Sequence, residues 1–309
     1  MNNNVIVYGG SGFLGSHVAD ALSNAGYKVR IFDQVKSPYL RNDQIMIVGD
    51  LLDLECVVSA AKGCDIIYNF AGLADIDDAA NRPVDTAKLN IVGTIHALEA
   101  ARQHKCKRFI FASSVYVYSE AGSFYRASKQ SAERFIETYQ EKYGLDYTIL
   151  RYGSLYGRRA DERNGIYRFL KQALEEKKIT YKGNSEAYRE YIHVEDAARL
   201  SVQILDNDYK NRHIVLTGQE KMSVKNLLRM ISEMLSNEIK LYFENKSSEH
   251  YVLTPYSFNP KVGNKLVAND YVDIGQGLLD CLAELYEKNF NEKHKQIRGD
   301  WLEYDDEAK

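Results

Sequence analysis

Proline is scarce in this 309-residue chain, 4 in all, and no Pro-rich or Gly/Ser-rich stretch stands as a linker. Without a spacer, the chain reads as one continuous body rather than tethered modules. Cysteine is equally scarce. Cys56, Cys64, Cys106 and Cys281 form no CxxC pair and no Cys/His spacing suited to zinc, so no metal site is expected. They read as reduced, mostly buried thiols of a cytoplasmic protein. No apolar run approaches the roughly 18 residues needed to span a bilayer, so no membrane partner is expected. The opening MNNNVIVYGG enters a strand at once, which leaves no room for a signal peptide. A dominant charge is missing too: the net value of −3 argues against a nucleic-acid partner. Apolar residues, at 45%, are plentiful enough for one large core, or one core with a smaller companion.

The first half alternates short apolar runs with amphipathic stretches. Strands are expected at Val5–Tyr8, Lys28–Phe32, Ile45–Val48, Ile66–Phe70, Arg108–Ala112 and Tyr147–Leu150. Helices are expected between them: His17–Asn24, ended by Gly26; one N-capped by Asp53 and running to Lys62; a long one over Val84–Gln103; and Tyr125–Tyr143. Strands separated by helices imply parallel pairing and right-handed crossovers. The fold class is therefore α/β, a Rossmann-type doubly wound parallel sheet over residues 1–158, with later segments contributing. Residues 159–309 read as a smaller mixed α/β substrate-binding region. Helical patches are expected near Gly165–Lys177, Glu195–Leu205, Ser223–Leu235 and Gly275–Lys288, and strands at Ile179–Tyr181, His213–Leu216 and Ile239–Phe243. The tail from Asn289 is charged and weakly patterned, a surface helix or a frayed end.

Two local patterns carry chemistry. Gly9-Gly10-Ser11-Gly12-Phe13-Leu14-Gly15 lies directly between a strand and a helix. Backbone approach to a pyrophosphate needs positions without a Cβ, and a helix N-terminus favours the anion. Gly9, Gly12 and Gly15 supply the tight turn, the close approach and the helix–strand packing, with Phe13 and Leu14 opening the helix. Such a turn alone is weak support. Asp33, at the end of the second strand, strengthens it: a carboxylate there accepts from both ribose hydroxyls and repels a 2′-phosphate, which selects NAD. Asp50-Leu51 follows the third strand within reach of an adenine edge, though a capping loop explains it equally well. Phe70-Ala71-Gly72 follows the fourth strand and leaves room for the cofactor. Asn90 sits in a helix interior, an unfavourable place unless its side chain has a partner.

The second pattern is Tyr125-Arg126-Ala127-Ser128-Lys129 at the start of a helix. Tyr and Lys four residues apart share a helix face, and a nearby ammonium favours phenolate. A Tyr tuned in this way takes a hydroxyl proton while hydride leaves the same carbon. Ser114 ends the fifth strand, where it can hydrogen-bond the reacting oxygen.

With these residues in order, the chain resembles the extended short-chain dehydrogenase/reductase family, and most of all its UDP-glucose 4-epimerase-type members. The resemblance runs over residues 4–235. It includes GGSGFLG, GDLLD (49–53), NFAGL (69–73), LNIVGTIHALEAA (89–101), RFIFASSVYVY (108–118), YRASK (125–129), LRYGSLYG (150–157), YREYIHVEDAA (188–198) and LTGQEKMSVKNL (216–227). It implies an NAD-dependent enzyme acting at C4 of a nucleotide-linked sugar, as a net 4-dehydrogenase or a 4-epimerase. It implies Ser114, Tyr125 and Lys129 as the catalytic triad, and Asn90, Tyr125, Lys129 and Tyr152 beside the cofactor. Ser154 and Arg189 are implied on the substrate, Arg189 at its diphosphate, and a homodimer packed through helices near 84–103 and 125–143. Three departures stand out. Ser114 is followed by Val115-Tyr116 rather than the Thr-Asp-Glu signature of 4,6-dehydratases, which disfavours dehydration. Only ten residues separate Ser114 from Tyr125, which suggests a reshaped sugar pocket, fit for an unusual sugar such as a heptose. The stretch over 251–266 does not resemble the usual epimerase C-terminus. The rival reading is a non-catalytic NAD-binding regulatory or scaffold protein on the same fold; its hallmark would be a lost Tyr or Lys, and both are present.

Overall fold

In the computed structural model the first apolar run forms β1 (Asn4–Tyr8), whose Val5, Ile6, Val7 and Tyr8 are fully buried. The model describes residues 3–304 apart from 220, 237, 245–249, 251 and 256–262. Half of the 251–266 stretch, residues 251 and 256–262, lies outside the described residues. After β1 come α1 (Phe13–Asn24), β2 (Lys28–Asp33), β3 (Ile45–Val48), α2 (Leu54–Ala60) and β4 (Ile66–Asn69). Gly26, with φ +85°, follows the end of α1, and Asp53 caps α2 by accepting from Cys56 N at 3.0 Å, both as the sequence suggests.

The single helix expected over Val84–Gln103 is instead a chain of pieces. It comprises α4 (Pro83–Ala87), a π-turn (Lys88–Val92) and α5 (Gly93–Gln103), preceded by the unforeseen α3 (Ile76–Asn81). The π-turn carries Asn90 at its centre, and Thr94 Oγ1 donates back to Asn90 O at 2.7 Å. Such bulges re-aim a side chain within an otherwise regular helix. β5 (Arg108–Ser114) follows, then α6 (Ser123–Tyr143), which starts two residues before Tyr125, then β6 (Tyr147–Tyr152) and β7 (Ser154–Tyr156).

The remaining chain runs α7 (Gly165–Glu176), β8 (Lys178–Lys182), β9 (Tyr188–His193), α8 (Val194–Gln203), β10 (Arg212–Leu216), β11 (Lys221–Ser223), α9 (Val224–Met234), β12 (Lys240–Glu244), β13 (Asn264–Lys265) and α10 (Ile274–Tyr304). The large sheet has eight strands in the order β13-β10-β6-β5-β4-β1-β2-β3, all neighbours parallel. The order reverses direction between β1 and β4, the switch point where such sheets bind ligands. Two clusters of buried side chains pack its faces. One is centred on Ile6, Phe109 and Leu98, the other on Val7, Ile110 and Leu200.

Residues beyond 158, together with β7, make two further sheets, β11-β9-β7 and β12-β8, around a separate core of Leu170, Leu227, Ile231 and Leu278. This smaller lobe is not self-contained in sequence, because β10 and β13 return to the edge of the large sheet. No helix among the described residues is long and apolar enough to cross a membrane.

Candidate active site

The glycine turn joins β1 to α1. Gly9 has φ +80°, and a Cβ there would stand 2.5 Å from Ala71 N. A Cβ on Gly15 would stand 2.2 Å from Gly9 O. Both glycines are thus required by close packing of the turn against the β4 loop and α1. Gly12 differs: its Cβ would meet only Gly9 O, at 3.3 Å, so its bare face is turned from the protein. No side chain caps α1, and its first turn carries no acidic residue. That leaves the helix start, with Phe13 and Leu14, open to an anion.

Asp33 is drawn towards the same turn. Its Oδ2 accepts from Ser11 N at 3.1 Å and its Oδ1 from Val35 N at 3.3 Å. Each oxygen retains acceptor capacity for a ribose hydroxyl. This cradle and carboxylate fit a dinucleotide without a 2′-phosphate. Ala71 backs onto Gly9, and Gly72, at φ +147°, has no room for a Cβ because Asn90 Oδ1 lies 2.4 Å from that position. Asn90 spends its side chain entirely on the protein. It accepts from Leu73 N at 2.7 Å and donates to Leu73 O at 3.0 Å and Ser128 Oγ at 2.9 Å. The mid-helix Asn thus has its partners, and it ties the loop after β4 to α6.

Other expected cofactor residues are held less directly. Asp50 is exposed and accepts from Leu52 N at 2.9 Å, in keeping with a turn residue. Leu51 is buried against Gly93. The Tyr152 hydroxyl is bonded to Ser201 Oγ at 2.6 Å, and its ring centroid lies 6.4 Å from that of Phe70.

At the carboxyl end of β5, Ser114 Oγ accepts from Tyr116 N at 3.3 Å and is hydrogen-bonded with Tyr125. The approach to α6 is strained: Gly122 has φ +94° and Ser123, a non-glycine, φ +41°. One turn on, Lys129 donates to Ala112 O at 2.8 Å, with its Nζ 4.8 Å from the Phe111 ring centroid and 5.8 Å from that of Tyr125. Ser114, Tyr125 and Lys129 therefore converge at one sheet edge.

The electrostatics differ from the sequence expectation. Burial pushes the Tyr125 phenol up to about 12, with Ser114 pulling it back, and burial brings the Lys129 ammonium down to about 8 against the opposing charge of Glu133. Desolvation dominates at both groups, each under 10% exposed.

Behind Lys129 lies an ionic network that the sequence did not disclose. Glu133 takes Arg151 at 2.6 and 3.0 Å and Ser113 Oγ at 2.6 Å. Arg151 also bonds the Tyr118 hydroxyl, and His213 lies between Glu133, at 3.7 Å, and Glu137, at 3.0 Å. Only the i,i+4 spacing of Lys129 and Glu133 hinted at it.

In the smaller lobe, Arg189 lies on β9, buried, donating to Tyr188 O at 2.9 Å. Ser154, on β7, pairs with Tyr191 of the same sheet. Two further residues join the lobes. The Tyr116 ring is edge-on to Tyr125, with centroids 6.2 Å apart, and its hydroxyl is hydrogen-bonded to His250 Nδ1 at 2.5 Å. Burial holds the His250 imidazole down, the charges of Arg189 and Arg168 lower it further, and those of Asp77 and Asp75 oppose them. Reading the sequence missed His250, which is 134 residues from Tyr116 in an unpatterned segment.

The model of the NAD dependent epimerase/dehydratase family matches residues 5–217. A putative UDP-glucose 4-epimerase of Methanocaldococcus jannaschii is 28% identical over 248 residues, 74% of this chain and 81% of that protein. A UDP-N-acetylglucosamine 4-epimerase of Methanobrevibacter ruminantium, solved with UDP-N-acetylmuramic acid, superposes with a TM-score of 0.82 at 25% identity, covering 93% and 99% of the two chains. An NAD-dependent NDP-hexosamine 5,6-dehydratase of tunicamycin biosynthesis has the same fold, with a TM-score of 0.78 at 18% identity over 92% and 98%. One fold therefore carries more than one outcome. With the glycine turn, Asp33 and the Ser114–Tyr125–Lys129 cluster in place, the chain belongs to the NAD-dependent epimerase/dehydratase family and is an enzyme of the extended short-chain dehydrogenase/reductase type.

Proposed function

We propose that this enzyme oxidises the C4 hydroxyl of a nucleotide-linked sugar and returns the hydride to the opposite face, a 4-epimerisation. The observation that carries this reading is the convergence of Ser114, Tyr125 and Lys129 at the carboxyl edge of β5, facing the lobe that holds Arg189. Bound NAD+ supplies the hydride acceptor. The open start of α1 beside Gly12 would hold its pyrophosphate, and Asp33 its adenosine ribose. Ser114 holds the reacting oxygen and Tyr125 takes its proton. Lys129 orients the nicotinamide ribose, and its charge helps Tyr125 to ionise once the site is filled. Arg189 offers a planar fork of donors to the diphosphate, with Ser154 near the sugar.

Release of the keto-sugar, a net 4-dehydrogenation, is the second reading. The ten residues between Ser114 and Tyr125 favour it, since a short loop leaves the sugar pocket open and suits a larger sugar such as a heptose. Both readings share the first step, and both set aside a merely regulatory NAD-binding role. We further infer a cytoplasmic homodimer. Four free thiols fit a reducing compartment, and Val84, Phe124, Phe135 and Tyr143 present exposed apolar surface on α4 and α6.

The test is purified protein incubated with a panel of nucleotide sugars and NAD+, followed by mass spectrometry for isomers and for loss of two hydrogens. Epimer formation supports the first reading and loss of two hydrogens the second. Neither product from any nucleotide sugar would refute the substrate class.

A further inference from the structure

Tyr116 takes no part in the chemistry described so far, yet it lies against the catalytic tyrosine. Its placement is tight: a Cβ on Gly122 would come within 2.7 Å of the ring. Its hydroxyl also ends differently from other buried tyrosines of this fold. Tyr8 and Tyr68 end on the carbonyl oxygens of Val57 and Ser201, both at 2.7 Å, which satisfies a phenol and does nothing more. Tyr116 ends on an imidazole contributed by the other lobe, which feels the charges of Arg189, Asp77 and Asp75. Burial, reinforced by the charge of Arg189, holds His250 below its ordinary range, so the ring is neutral near pH 7. With its proton on Nε2, its Nδ1 lone pair accepts from the phenol.

We propose that Tyr116 and His250 form a second acid–base pair of this active site, one that moves the proton on a carbon flanking the C4 ketone. The inference rests on the proposed oxidation at C4. The ketone acidifies the neighbouring C–H bonds, because the released electron pair spreads onto its oxygen. The Tyr116 oxygen takes the carbon-bound proton while its own hydroxyl proton passes to His250 Nδ1. The C–H electron pair becomes the C=C bond of an enolate, and the carbonyl π pair moves to the ketone oxygen. That oxygen is met by the Tyr125 hydroxyl, which already holds the proton taken from the C4 alcohol. Return of a proton to carbon reverses the flow, so the exchange is an isomerisation or a null event and needs no oxidant or reductant.

The experiment places the full-length enzyme with NAD+ in D2O with UDP-glucose, UDP-N-acetylglucosamine or UDP-glucuronic acid. Deuterium at C3 and C5 of the recovered sugar is read by mass spectrometry and NMR. The hydride step is read separately as NADH or epimer formed. Wild type is expected to take up deuterium at one of these carbons. Tyr116→Phe and His250→Gln are expected to lose that uptake by about 10²-fold or more, the scale of a general base, while the hydride step falls less than about tenfold. NADH affinity and melting temperature monitor folding of both variants. Three results would overturn the proposal: a wild type that turns over sugar without deuterium uptake, variants that keep uptake, or equal loss of uptake and hydride transfer. If wild type turns over none of the sugars of the wider panel, the C4 reading itself fails and takes this inference with it.

Discussion

The half of the molecule that holds the glycine turn and the half that holds Arg189 are built by different rules. In the large sheet the central strands are paired on both edges and covered on both faces; β6 is buried at all six positions. Such strands must be short apolar runs, and their parallel pairing forces helical crossovers between them. In the smaller lobe β12 is mostly exposed and β8 is exposed at both ends, and the three-stranded sheet gathers pieces from three separate places in the chain. The regular half offers a generic site, a backbone cradle for a dinucleotide. The irregular half can vary without disturbing that cradle, and under the proposed function it is where substrate choice is exercised.

Four substitutions break or sharpen this contrast. The largest effect belongs to Tyr125→Phe, at the junction of the halves. Removing the phenol hydroxyl should lower turnover by on the order of 10²–10⁴, with NADH affinity nearly unchanged because the ring still packs. Near-full turnover in a folded variant would show that Tyr125 is not the base. Next is Arg151→Met in the regular half, which strips Glu133 of its cation. An uncompensated buried charge costs about 3–5 kcal/mol, to be read by urea denaturation; a loss under about 1 kcal/mol would mean that Lys129 and His213 already balance the carboxylate.

Arg189→Ala should then weaken binding of nucleoside diphosphates by about 1.5–3 kcal/mol in calorimetry with NADH present, while leaving NADH affinity alone. An equal change in both affinities would show that the two halves do not act separately. The smallest and complementary change is Asp33→Ala, expected to cost NADH about 1–3 kcal/mol and to narrow the gap to NADPH. If the native protein binds NADPH as tightly as NADH, the role given to Asp33 is wrong.

The same contrast explains what could be read from the sequence. Strand–turn–helix logic located β1 to β6, the turn at Gly9–Gly15 and the α6 helix with its Tyr and Lys, because each is fixed by neighbours within a few residues. The break around Asn90 was not legible, since a helical repeat hides a π-turn whose cause, the loop at Leu73, lies 17 residues away. β7 and β11 are too short to show a period. The Tyr125 environment was misjudged because a four-residue spacing reports the nearby ammonium and says nothing of how deeply both groups are buried. His250 reaches the site through a segment without pattern, and only its position in space reveals it.

The strands β10 and β13, which return from the far half of the chain to the edge of the large sheet, also govern how the protein must be made. During synthesis β6 emerges about 60 residues ahead of β10, its partner from Arg212 to Leu216. At roughly 5–20 residues per second that is an interval of several seconds. Through it, Tyr147–Tyr152 is a bare apolar edge, the kind that pairs with the wrong chain. A ribosome pausing between residues 152 and 212 would lengthen the exposure, so codon choice in that stretch should govern the soluble yield more strongly than it does downstream of residue 216.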